Sequence, residues 1–181
     1  MKSPDSAQTV QILHPAHTIT RNNDYLQDMK QSEYCVEASS SLLKFEFHSE
    51  GPNGKIRKQV LFKAFDENPD VYNLGFGDVG ADGLMNDTII SNNNDSSRIL
   101  STVALTILKF YEKRPDAYVF IMGNTPARTR LYRIGICNNL DKVSNDLYIF
   151  GLAEENVWEL FKRDRPYSAF LIKAKNSTFD L

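Results

Sequence analysis

The residues best suited to chemistry are arginines at the beginning of a predicted helix. Thr125 is a good N-cap because its hydroxyl can accept a hydrogen bond from a free backbone N–H, and Pro126 suits the first helical position. Arg128 lies in the first turn, and Arg130 and Arg133 follow it. The helix dipole already makes this end positive, so each first-turn cation costs roughly 0.3–1 kcal/mol unless a negative group lies nearby. The pattern therefore predicts a negative partner, either a ligand or a carboxylate of the same chain.

Guanidinium groups bind carboxylates and phosphates through paired hydrogen bonds, and three functions follow from this property. The working hypothesis is an anion-recognising binding module for phosphate, nucleic acid or an acidic protein partner. It places the anion on residues at the start of the helix: Asn124, Thr125, Arg128, Arg130 and Arg133. The first alternative is a structural or interaction protein whose arginines form internal ion pairs. This alternative includes a homodimer. The carboxylates available for such pairs are Asp78, Asp87 and Asp95. The second alternative is a phosphoryl-transfer or nuclease-type enzyme that uses Asp78 or Asp87 beside the arginines.

Two glycine-rich and aspartate-rich motifs resemble cofactor and metal sites but lack essential parts. Gly75, Gly77 and Gly80 have the spacing of a dinucleotide-binding fingerprint, but loop residues follow where that motif needs a helix. The segment from Asp78 onward resembles a calcium-binding loop, but Gly80 and Ile89 occupy two positions that need oxygen ligands. The sequence therefore predicts no cofactor and no metal.

The composition limits the class of protein. A chain of 181 residues with 41% hydrophobic residues is long enough for one domain with a sizeable core. The formal net charge of −2 gives no global attraction to nucleic acid. No apolar stretch approaches the roughly 18 residues of a membrane span, and the two cysteines lack the spacing of a zinc site or a disulfide framework. These features predict a cytoplasmic protein that does not contact membranes.

Hydrophobic periodicity predicts the elements that position the arginines. Alternating apolar residues from Leu43 onward indicate three strands joined by short turns, and hence an antiparallel meander. A long amphipathic helix capped by Asp95 or Ser96 follows, and then an apolar strand at Tyr118–Met122 precedes the arginine helix. Two or three strands come after that helix. The predicted fold is α+β, with a mainly antiparallel sheet of about five to seven strands and two helices packed on it.

The same patterns predict boundaries and a buried helix face. The arginine helix should run from Pro126 to about Asn138 and pack through Ala127, Leu131 and Ile134. Residues 1–33 are polar and predict a flexible leader, in which residues 9–13 could add an edge strand. Residues 34–174 form the predicted single domain, and residues 175–181 form a tail.

Four segments of the chain together resemble a known family. They are Phe47–Ile56, Tyr72–Asp78, Asn93–Asp95 and Gly123–Tyr132, the last reading GNTPARTRLY. In this order they are similar to a family of small bacterial cytoplasmic proteins known only as a domain of unknown function. The resemblance covers about Tyr34 to Ala174. It implies a bacterial, cytoplasmic protein, and it implies no catalytic residue, so whether the chain is an enzyme stays open.

Overall fold

The computed structural model describes residues 33–88, 91–154 and 156–175. The predicted leader and tail lie outside these residues, except for Glu33 and Lys175, as does the predicted edge strand at residues 9–13. The described residues form nine strands and two helices. In chain order they are β1 (Glu37–Ala38), β2 (Lys44–Gly51), β3 (Gly54–Ala64), β4 (Val71–Val79), β5 (Met85–Asn86), α1 (Ser96–Tyr111), β6 (Tyr118–Ile121), α2 (Pro126–Val143), β7 (Leu147–Leu152), β8 (Trp158–Leu160) and β9 (Ala169–Ala174).

All nine strands of the described residues belong to one sheet with the order β1-β2-β3-β4-β6-β9-β7-β8, and β5 pairs with β4. Every pairing is antiparallel except that of β4 with β6. The predicted α+β class, the mainly antiparallel sheet and the two helices are therefore confirmed. The predicted number of strands is too low, because β1 and β5 have two residues each and are too short to show any periodicity.

Helix α1 is the crossover that the parallel pair β4 and β6 requires. It begins directly after Asp95, as predicted, and its apolar stripe packs on the sheet. The ring of Phe110 lies 4.5 Å from that of Phe62 and 5.0 Å from that of Tyr72, measured between centroids. Helix α2 packs on the same face, because a small apolar cavity of about 50 Å³ is lined by both helices and by Ile172 of β9.

The predicted inner face of α2 is wrong. Ala127 is exposed, Leu131 is half-buried and Ile134 is 43% exposed. The buried face instead begins at Arg128, one residue after Ala127, and continues with residues three or four positions apart. Its members are Arg128, Tyr132, Gly135, Asn139 and Val143. Arg128 and Asn139 are polar and Gly135 has no side chain, so hydrophobicity alone does not reveal this face.

The predicted end of α2 at Asn138 is also wrong, because Asn139 lies inside the helix. The Asn139 side-chain amide donates to the carbonyl of Gly135 at 2.9 Å, and its oxygen accepts from the hydroxyl of Ser101 at 3.2 Å. The bond to Ser101 joins α2 to α1 close to the point where a Cβ on Gly135 would lie 2.9 Å from Leu100 Cδ2. The helix therefore continues to Val143. Neither helix of the described residues is long and apolar enough to cross a membrane.

Candidate functional site

A polar pocket of about 200 Å³ lies at the carboxyl end of β4. The first turns of α1 and α2, strand β3 and the segment that precedes α1 form its other walls. The polar or charged side chains in these walls are Lys58, Asp78, Ser91, Asn92, Asn93, Asp95, Ser96 and Arg128. The first turn of α1, whose N-cap side chain makes no capping hydrogen bond, therefore lies at a pocket that also contains two basic side chains.

Lys58 and Asp78 form a buried ion pair in the wall of this pocket. They lie opposite each other in the register of β3 and β4, and their side chains are 3% and 12% exposed. The Lys58 ammonium donates to the Asp78 carboxylate and to the hydroxyl of Ser91. Charges removed from water persist in a fold only when they are paired and hydrogen-bonded, and these three residues satisfy that condition together.

Arg128 is the arginine that the fold brings into the polar pocket. It is 8% exposed, and its Nη1 donates to the carbonyl of Phe76 at 2.9 Å. Strand β6 pairs with β4 only at Val71–Asn73. Phe76 lies further along β4, where β6 no longer covers the strand, and Arg128 binds there. The predicted N-cap is confirmed, since the hydroxyl of Thr125 accepts from the Arg128 backbone N–H at 3.2 Å.

Tyr132 lies one turn after Arg128 and shares a hydrogen bond with it. Burial raises the pKa of the Tyr132 phenol, and the positive charge and hydrogen bond of Arg128 offset part of that increase. The negative charge of Asp87 acts in the same direction as burial, which puts Asp87 in the neighbourhood of this pair. The phenol therefore stays protonated at neutral pH and can hold the guanidinium in place.

Asp95 contributes a carboxylate on the α1 side of the pocket. Its Oδ2 accepts from the hydroxyls of Tyr34 at 2.7 Å and Ser49 at 2.6 Å. Its Oδ1 is buried and has no hydrogen-bond partner among the described residues. Although Asp95 is the N-cap residue of α1, its side chain makes no capping hydrogen bond. One acceptor beside the pocket is thus left without a donor.

Asn93 anchors the segment that carries Ser91 and Asp95. Its side-chain amide donates to the Ser49 hydroxyl at 2.9 Å and to the Gly54 carbonyl at 3.0 Å. A Cβ on Gly51 would lie 1.9 Å from the Asn93 carbonyl oxygen, so this segment lies directly on the turn between β2 and β3. Glycine is required at residue 51 for that approach.

The structure divides the five predicted anion-binding residues between two places. Arg128 lines the polar pocket with Asp78 and Asp95. The other four line a separate surface groove of about 470 Å³, together with Tyr167 and Ser168: Asn124, Thr125, Arg130 and Arg133. In this groove the Arg133 guanidinium donates to the carbonyl of Arg163 at 3.1 Å. Among the described residues, Asp78 forms its ion pair with Lys58.

Lys58 is a functional candidate that no sequence motif indicates. It stands between Ile56 and Val60 on the inward face of β3, where alternation calls for an apolar residue. Asp78 occupies the equivalent position after Phe76 on β4. An opposite pair of charges at inward positions of consecutive strands is therefore the signal that could have found this site.

The described residues contain no group of three or more histidine, cysteine or acidic side chains that could hold a metal ion. The pocket offers charges of both signs, amide and hydroxyl groups, and an apolar wall formed by Phe76, Ile99, Leu100 and Leu131. Such a wall with a few converging polar groups is typical of sites for small molecules.

Comparison with known proteins gives one match. The model of a family described as a family of unknown function (DUF6934) matches residues 30–175. No curated protein and no solved structure matches the chain. The matched range includes every strand and helix described above, and with them the polar pocket.

Proposed function

This chain belongs to the family of unknown function (DUF6934), and we propose that it is a small-molecule binding module whose polar pocket recognises an anionic group of the ligand. The observation that carries the proposal is the presence of two long basic side chains, Lys58 and Arg128, in one pocket while only 3% and 8% exposed. Both are fixed by hydrogen bonds before any ligand arrives, so little side-chain entropy is lost on binding.

The surroundings strengthen the attraction of these cations for an anion. Few water molecules screen buried charges, so each interaction with a ligand is stronger than on the surface. The N-terminal end of α1, whose N-cap side chain makes no capping hydrogen bond, adds partial positive charge and free N–H groups at the same pocket. An anionic group such as a carboxylate is the ligand chemistry that fits this combination.

The size of the pocket favours a small ligand over a macromolecule. A volume of about 200 Å³ is below the roughly 300–1,000 Å³ of pockets that hold drug-sized ligands. This volume can admit one small anionic group, but not the body of a nucleic acid strand or of an acidic protein segment. Of the partners that the arginines predict, a small molecule with one anionic group is therefore the one we propose. A cytoplasmic location and a bacterial origin, which the sequence and the family resemblance imply, accompany this proposal.

The proposal is tested by ligand binding to the full chain and to two matched arginine variants. Isothermal titration calorimetry and thermal denaturation are carried out with inorganic phosphate and with two carboxylates, 4-methylpentanoate and L-leucine. At least one of them should bind and raise the melting temperature. Arg128→Lys keeps the charge but loses the planar fork, so binding should weaken by about ten-fold. Arg130→Lys makes the same change in the exposed groove and should leave binding unchanged.

Two results would contradict the proposal. If Arg130→Lys weakens binding as much as Arg128→Lys, the groove and not the pocket binds the anion. If no anionic probe binds while Arg128→Lys lowers the melting temperature, Arg128 only joins α2 to β4, and the structural alternative replaces the binding module. A crystal structure with the bound probe would distinguish the pocket from the groove directly.

A further inference from the structure

The charges that line the polar pocket are balanced. Lys58 and Arg128 are basic, and Asp78 and Asp95 are acidic, so these four residues give a formal sum of zero. A multiply charged anion such as a phosphate monoester would meet two carboxylates at close range, and like charges in a poorly screened site repel strongly. A ligand that itself carries one positive and one negative group avoids this penalty.

Asp95 provides the acceptor for the positive group. Its Oδ2 already accepts from Tyr34 and Ser49, whereas its buried Oδ1 accepts no hydrogen bond from the described residues. A buried acceptor without a donor carries a desolvation penalty, which a ligand that donates to it would remove. An ammonium group is suited to this role because it has three donors and a full positive charge.

The rest of the pocket sets the size and polarity of the remainder of the ligand. Phe76, Ile99, Leu100 and Leu131 form an apolar wall. A volume of about 200 Å³ suits a molecule of amino-acid size better than a nucleotide or a peptide. The ligand should therefore combine a small apolar body with two opposite charges.

We infer that the polar pocket binds a small zwitterion of the amino-acid class that has an apolar side chain. Arg128 and Lys58 hold its carboxylate, Asp95 accepts from its ammonium group, and the apolar wall contacts its side chain. This inference rests on the proposed function, because the carboxylate of the zwitterion is the anionic group proposed above. It adds Asp95 as the residue that determines specificity.

The test compares L-leucine with two analogues that each lack one charged group. 4-Methylpentanoate is leucine without the amino group, and 3-methylbutylamine is leucine without the carboxylate. Calorimetry on the full chain should show that L-leucine binds and that each analogue binds about ten-fold more weakly or worse, because each loses hydrogen bonds to a charged group. This comparison needs no variant of the protein, so misfolding cannot affect it.

A pair of matched variants then identifies the residue. Asp95→Asn keeps an oxygen for Tyr34 and Ser49 but replaces the other oxygen by a donor and removes one negative charge. It should weaken the binding of L-leucine by about ten-fold and should not weaken the binding of 4-methylpentanoate. Asp141→Asn makes the same change at a side chain that is 89% exposed and should affect neither probe.

The results separate the inference from the proposed function. If 4-methylpentanoate or inorganic phosphate binds at least as tightly as L-leucine, the zwitterion is refuted while anion recognition stands. If Asp95→Asn weakens both carboxylates equally, Asp95 does not recognise the ammonium group, and the inference fails. If neither L-leucine nor the other anionic probes bind, the inference and the proposed function fail together.

Discussion

The buried pair of Lys58 and Asp78 gives the sharpest prediction about stability. Replacing Lys58 by methionine keeps most of the length of the unbranched side chain but removes its charge and both of its hydrogen bonds. Asp78, whose side chain is 12% exposed, then keeps a negative charge that has lost its ion pair. An uncompensated buried charge is among the most destabilising defects in a protein.

The expected cost follows from the burial of the pair. Removal of one partner from a buried ion pair costs about 3–5 kcal/mol, and the 3% exposure of Lys58 places this pair in that class. For a chain of this size, about 1 kcal/mol corresponds to roughly 2–4 °C in melting temperature, so Lys58→Met should melt roughly 6–20 °C lower. The free energy of unfolding of many domains is only about 5–15 kcal/mol, so this loss is a large part of the total.

The measurement is a double-mutant cycle by urea denaturation with Lys58→Met, Asp78→Asn and the double variant. Since the second change removes the orphaned charge, the double variant should be more stable than the sum of the single losses predicts. A coupling energy of about 2–3 kcal/mol is expected, at the upper end of the range for residues in contact. If Lys58→Met alone does not fold, recovery of a cooperative transition in the double variant gives the same answer.

The matched control replaces Arg130, which lies in the separate groove, by methionine. Arg130→Met and Asp78→Asn should be additive within about 0.5 kcal/mol, because these residues share no contact. Additive effects of Lys58→Met and Asp78→Asn would refute the reasoning, since the pair would then contribute nothing as a unit. Coupling between Arg130 and Asp78 would instead support an ion pair that the structure does not contain.

Three further predictions concern the core, the pH dependence and the pocket wall. Phe110→Ala should lower the free energy of unfolding in urea by about 3–5 kcal/mol, whereas Ile134→Ala, at a residue 43% exposed, should lower it by less than about 1 kcal/mol. Equal losses would show that Ile134 is packed in the core. Burial raises the pKa of Tyr111 above the ordinary 10.0, so the unfolded chain ionises first as the pH rises above about 10 and stability falls. Tyr111→Phe should flatten this alkaline decline in melting temperature, and an unchanged decline would exclude Tyr111 as its cause. Gly51→Ala should cost about 1–3 kcal/mol and weaken ligand binding, because its Cβ would displace Asn93, and an unaltered calorimetric titration would contradict this link.

The sequence alone was sufficient where the pattern is local. The alternation from Leu43 onward and the stripe of α1 each repeat over many residues, so the meander, the long helix and the α+β class could be read from periodicity. The cap at Thr125 could be predicted for the same reason, because a capping hydrogen bond joins residues three positions apart.

The inner face of α2 could not be read from periodicity. Hydrophobicity favours Ala127, Leu131 and Ile134, but the helix buries Arg128 and Asn139 instead. These side chains can be buried because Phe76, Tyr132 and Ser101 satisfy their hydrogen bonds, and two of those partners lie on other elements. The choice between two faces of one helix therefore depended on contacts that the order of residues does not contain.

The sequence by itself determined which residue types were available: the arginines at a helix start, the nearby aspartates and the elements that carry them. Only the tertiary structure decided which of them meet. Asp78 lies opposite Lys58 because of the register of β3 and β4, and Arg128 reaches Phe76 because β6 ends before that residue. Arg130 lies two residues from Arg128 but in another groove, since a helix turns successive side chains in different directions. Residues distant in sequence thus form the polar pocket, and long-range strand pairing and helix packing are its physical cause.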